Sequence, residues 1–70
     1  MSKDQTGIGK TIRKYRQGKG ISQEALARAA NLSLPTIVKI ESGDTPNPTI
    51  DTVKKIADSL GVSLDDLMKS

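Results

Sequence analysis

Apolar residues recur at helical spacing in five short stretches of the chain, separated by residues that start and stop helices. Ile8, Ile12 and Tyr15 fall four and three apart, which makes one face of a first helix apolar, and Gly18 and Gly20 close it. Ser22 is placed to cap a second helix, with Glu24 favourable in its first turn and Leu26, Ala27 and Ala30 as the inner face. Asn31, which tolerates the left-handed conformation, stops that helix. Ser33 caps a third helix over Leu34–Glu41, with Ile37 and Ile40 inward and Ser42-Gly43 at its end. Pro35 is harmless in its first turn, where backbone N–H groups have no intrahelical partner. Residues 44–48, with two prolines, form a loop. Thr49 caps a fourth helix with Ile50, Val53, Ile56, Ala57 and Leu60 on one side, and Gly61 closes it. Ser63 opens a fifth through an acidic variant of the capping box, Ser63-Leu64-Asp65-Asp66. No stretch shows the strict alternation of a half-buried strand.

The expected fold class is therefore all-α, a compact bundle of about five short helices. Each helix is too short to be stable alone, so all must share one core. Residues 1–6 are polar and aperiodic and read as a flexible N-terminal arm, leaving 7–70 as a single domain. A chain of 70 residues buries only about 60% of its unfolded surface, which fits one core and no large ligand cavity. An effector domain has no room, and sensing would need a partner or a further segment.

Composition narrows the chemistry. With no Cys and no His, disulfides, thiolate sites, the commonest general base and the commonest zinc ligand are excluded. Six Asp, two Glu and scattered Ser, Thr and Lys make a poor catalytic set, so the expectation is a protein that is not an enzyme, with no cofactor and no metal. Asp65-Asp66 serves the first turn of a helix rather than a metal. The letters Gly9-Lys10-Thr11 match the end of a phosphate-binding loop, but that motif needs a glycine five positions earlier, where Asp4 stands, and a preceding strand. Nothing approaches the roughly 18–20 consecutive apolar residues of a membrane span, and a cytoplasmic protein is expected.

The net charge of +3 is modest but unevenly placed. Residues 1–39 hold eight Lys/Arg against two acids, and residues 40–70 hold three against six. Such a field suggests a polyanion facing the first half, although ordinary solvated charge gives the same count. Two short helices joined by a tight turn, the second opened by Ser33, also have helix-turn-helix geometry. The first, Gln23–Ala30, lies across a phosphate backbone and props the second into a major groove. Leu32 fills the angle between them. Leu34, Pro35, Thr36, Val38 and Lys39 are left on the groove side as candidate base contacts.

The motifs S-Q-E-x-L-A from Ser22, I-x-x-I-E-S-G from Ile37 and L-G-V-S-L-D-D-L from Leu60 occur together. With them the chain, from about Ile8 to Met68, resembles the phage-repressor type of helix-turn-helix domain, the Cro- and lambda-repressor-like family. The resemblance implies a five-helix, sequence-specific binder of double-stranded DNA, a transcriptional regulator such as a dimeric repressor or a restriction-modification controller. It implies that Gln23 contacts a phosphate, that Ser33 caps the third helix and touches the backbone, and that Arg16 and Glu41 form a structural ion pair. Arg13, Thr45 and Asn47 are further candidates for phosphate contact, within a basic set that includes Lys10, Lys14, Lys19 and Arg28. Family members pair around the last two helices, so Val62, Leu64 and Met68 are either a two-fold dimer contact or plain core. A homodimer would set the recognition helices about 34 Å apart on a palindromic operator.

The third helix departs from the usual readers of bases. It has no Asn, Gln or Arg, the residues that most often address adenine and guanine. Leu34, Pro35 or Val38 can press on thymine methyl groups, Thr36 can give one hydrogen bond and Lys39 can reach a guanine or a phosphate. DNA shape can supply further specificity. The same apolar face also suits a protein partner, which keeps an antitoxin-like or bridging interaction module as the alternative.

Overall fold

The computed structural model describes residues 7–45 and 47–68. The expected arm at residues 1–6, Pro46 of the expected loop and residues 69–70 of the expected domain lie outside the described residues. Five helices follow in order: α1 Ile8–Gly18, α2 Gln23–Ala29, α3 Leu34–Ser42, α4 Ile50–Leu60 and α5 Leu64–Met68. Among the described residues there is no strand.

The caps set these boundaries. The Ser22, Ser33 and Thr49 hydroxyl oxygens accept from the backbone N–H of Ala25, Thr36 and Thr52. Each satisfies a donor that the first helical turn leaves unpaired. At α5 the capping box closes in both directions: Asp66 N–H donates to Ser63 Oγ at 3.0 Å, and Ser63 N–H donates to Asp66 Oδ2 at 3.1 Å. Left-handed residues end each of the first four helices, Gly20 after α1 (φ 71°), Asn31 after α2 (φ 60°), Gly43 after α3 (φ 93°) and Gly61 after α4 (φ 72°). α2 stops one residue before the expected end because Ala30 serves as its C-cap, and α3 runs one residue further, through Ser42.

The core draws on every helix: Ile12 of α1, Leu26 of α2, Ile37 of α3, Ile56 and Leu60 of α4 and Leu67 of α5 are all fully buried. Ile8, Tyr15, Ile21 and Leu32 pack against its edges. Ile50 corrects the expected inner stripe of α4. It is 61% exposed, because the first turn of that stripe runs past the layer formed by Val53, Ile56, Ala57 and Leu60.

α1 crosses α3 closely enough that one position must lack a side chain. A Cβ at Gly9 would sit 2.0 Å from the Ile40 carbonyl oxygen and 3.1 Å from Glu41 Cα. Both obstacles are backbone, so one helix would have to move. Gly9→Ala should destabilise the domain by about 2–3 kcal/mol through overpacking. That is a large part of the roughly 4–10 kcal/mol expected for a chain of this length. At Gly18, where nothing lies within 4 Å, alanine should instead stabilise by about 0.5–1 kcal/mol through helix propensity. Urea denaturation of the two variants beside the parent checks both signs.

Candidate nucleic-acid interface

The turn between α2 and α3 is built from backbone bonds. Leu32 N–H donates to Ala27 O at 2.8 Å and Asn31 N–H to Arg28 O at 3.1 Å, across the left-handed Asn31. This is the Schellman arrangement of a helix end. It delivers Leu32 to the core edge and Ser33 to the start of α3. With a buried residue at Ile37, Ile40 and Glu41, the turns of α3 leave a stripe on the opposite side. Pro35, Val38, Lys39 and Ser42 occupy that stripe and are exposed, with Leu34 exposed on one flank and Thr36 half-buried on the other.

Glu41 fixes the orientation of this stripe. Its side chain has no exposed surface, and that of Arg16 keeps only 12%. Arg16 grips the carboxylate with two bonds, Nε to Oε2 at 2.7 Å and Nη2 to Oε1 at 3.0 Å. Its third nitrogen, Nη1, donates to Ile21 O at 2.8 Å. One guanidinium thus ties α1, the α1–α2 loop and α3 together. Gln23, the first residue of α2, donates from Nε2 to Glu41 Oε1 at 3.1 Å. Arg13 Nε lies 3.6 Å from the same oxygen, with half of its side chain exposed. Two guanidinium groups facing one carboxylate leave positive charge at this edge of the molecule.

The expected site residues divide accordingly. Arg16 and Glu41 form the expected ion pair. Gln23 is committed to Glu41 through one amide N–H and has a second to offer elsewhere. Ser33 Oγ accepts from Thr36 N–H and lies 2.7 Å from Thr36 Oγ1, so both hydroxyls are engaged in the cap. Lys39 projects from the exposed stripe. Thr45 is half-buried, its backbone N–H donating to Lys39 O at 3.0 Å, which folds the following loop against the end of α3. Asn47 is exposed in that loop. Val62 and Leu64 pack against the core, whereas Met68 stays 57% exposed.

Gly9 and Ser42 have roles that their sequence pattern does not announce. A glycine inside an apolar helical stripe is the available sign of close backbone approach at Gly9. Ser42 falls in the exposed stripe only because α3 runs on to include it.

The helix-turn-helix family model matches residues 12–67. The chain belongs to that family. As a helix-turn-helix protein it is similar to the transcriptional regulator SlrR of Bacillus subtilis, 40% identical over 60 residues that make up 86% of this chain and 40% of SlrR. The chain thus spans less than half the length of that relative. Among solved structures it is similar to the restriction-modification controller protein C.AhdI of Aeromonas hydrophila. The TM-score there is 0.84 at 28% identity, covering 90% of this chain and 94% of that one. It is also similar to SinR, a master regulator for biofilm formation, solved in complex with DNA. That match has a TM-score of 0.83 at 35% identity, covering 86% of this chain and 95% of that one. A SinR–SinI protein complex matches with a TM-score of 0.82 at 35% identity, covering 86% of this chain and 58% of that one. The all-helical fold and the helix-turn-helix unit expected from sequence are those of these regulators.

Because Glu41 is buried, its partners are unequal. Arg16→Ala should cost about 3–5 kcal/mol by leaving an uncompensated carboxylate inside the fold. Arg13→Ala, at the half-exposed end of the same cluster, should cost under about 1 kcal/mol. Chemical denaturation of each variant measures the contrast.

Proposed function

We infer that this chain is a transcriptional regulator that binds double-stranded DNA, with α3 entering the major groove. The observation that carries the reading is the orientation of α3: Ile37, Ile40 and Glu41 are buried, while Leu34, Pro35, Val38 and Lys39 face away from the core. Arg13, beside the N-terminus of α2, and the exposed Lys10, Lys14 and Lys19 of the first half provide the positive field. Gln23, Ser33, Thr45 and Asn47 are the proposed contacts to phosphate, and Leu34, Pro35, Thr36, Val38 and Lys39 those to bases. The similarity to SinR, solved with DNA, supports the assignment.

The protein acts by binding rather than catalysis, in the cytoplasm. Residues 7–70 are its DNA-binding domain. It works as a homodimeric repressor or controller on a palindromic operator, paired through Met68 with the outer parts of Val62 and Leu64. The exposure of Met68 favours this arrangement. The SinR–SinI complex supports a second reading, in which the fold also engages a protein partner.

Two measurements test the main reading. If about four to six phosphates are neutralised per protomer, log affinity should fall against log salt with a slope of roughly −4 to −5. Selection from random duplex DNA should yield a palindromic consensus, and Lys39→Ala should change it. A flat salt titration and no enrichment would contradict the reading, and co-purification of a stoichiometric protein partner would favour the second.

A further inference from the structure

The exposed stripe of α3 is short of free hydrogen-bonding groups. The Thr36 hydroxyl lies 2.7 Å from Ser33 Oγ. Ser42 Oγ donates to Lys39 O at 3.1 Å and accepts from Asp44 N–H at 3.3 Å. On this stripe the Lys39 ammonium is left as the direct donor to a base edge. The largest apolar groups there are Leu34 and Val38, 41% and 39% exposed and one helical turn apart, so their side chains adjoin. A monomeric surface gains nothing from holding that pair in water. The exposed Lys39 between them and α3's C-terminus, and the half-exposed Arg13, make a polyanion the complementary occupant.

A major groove offers one apolar group for such a pair, the methyl on C5 of thymine. The same methyl occurs on 5-methylcytosine, in the same ring position. Unmodified cytosine has only a hydrogen at C5 and so offers Leu34 and Val38 no methyl group, while its N4 amino donor is the same in both forms. We propose that Leu34 and Val38 are specificity-determining residues that read pyrimidine C5-methyl groups, selecting duplex DNA in which thymine or 5-methylcytosine lies beneath them. This rests on α3 being the helix that enters the groove.

The test uses the full chain and duplexes enriched from random-sequence DNA, with affinity measured by fluorescence anisotropy. Each dT is replaced in turn by deoxyuridine, which keeps every hydrogen-bonding group and loses only the methyl. Each dC is replaced in turn by 5-methyldeoxycytidine. Loss of a buried methyl should weaken binding about threefold to tenfold at one or more dT positions if thymine is the source. A gain of the same size at a dC position identifies 5-methylcytosine instead. Leu34→Ala or Val38→Ala should remove the difference with the thermal unfolding midpoint maintained. Equal affinity for every substituted duplex, or a methyl effect that persists in both variants, overturns the proposal and leaves DNA binding intact. Absence of binding to any duplex at low salt overturns both.

Discussion

Glu41 brings a carboxylate into a place where its side chain has no exposed surface, and an isolated charge there would be too costly to keep. The fold keeps it by converging Arg16, Gln23 and Arg13 on its two oxygens. These partners come from α1 and from the first residue of α2, while Glu41 belongs to α3. The cluster therefore specifies the mutual rotation of three helices. Gly9 sets the spacing of α1 and α3, since its missing side chain lets α1 lie against the Ile40 carbonyl. Apolar contacts between Ile12, Leu26 and Ile37 supply adhesion without direction. The ion pair and the glycine supply the direction.

Much of this architecture was legible in the residues themselves. Ser22, Ser33, Thr49 and Ser63 cap where their spacing places them, and Asn31, Gly43 and Gly61 take up the left-handed backbone that stops a helix. Such signals act over a few residues, so a single sequence discloses them. The apolar period also identified the core of the first four helices, apart from Ile50, but not Leu67, the buried residue of α5. Periodicity assigns a face to a residue but does not say how far along a helix the neighbouring layer extends. Only family resemblance links Arg16 with Glu41 in the sequence, because a contact between residues 25 apart leaves no local trace. Gly9 was hidden for the same reason. In the sequence it stands out only within the letters Gly9-Lys10-Thr11, and the carbonyl that excludes a side chain belongs to α3.

The candidate interface was legible in position more than in chemistry. The residues expected on the outer side of α3 lie there, yet the structure alters what they can offer. Thr36 shares its hydroxyl with Ser33, and Gln23 directs an amide N–H to Glu41. The same groups that build the unit are thus partly withdrawn from outside contact. What remains is an apolar surface that carries the Lys39 ammonium. On the proposed reading, affinity comes chiefly from backbone phosphates and discrimination from groove shape and methyl contacts.

The central claim is that the buried cluster holds α3 with its outer stripe available to a duplex. Backbone amide chemical shifts, followed by NMR as duplex DNA is titrated into the protein, test this directly. The account predicts that the largest changes fall on residues 33–42 and at the start of α2, with α5 little affected. Changes confined to α4 and α5, with residues 33–42 unmoved at saturation, would contradict it.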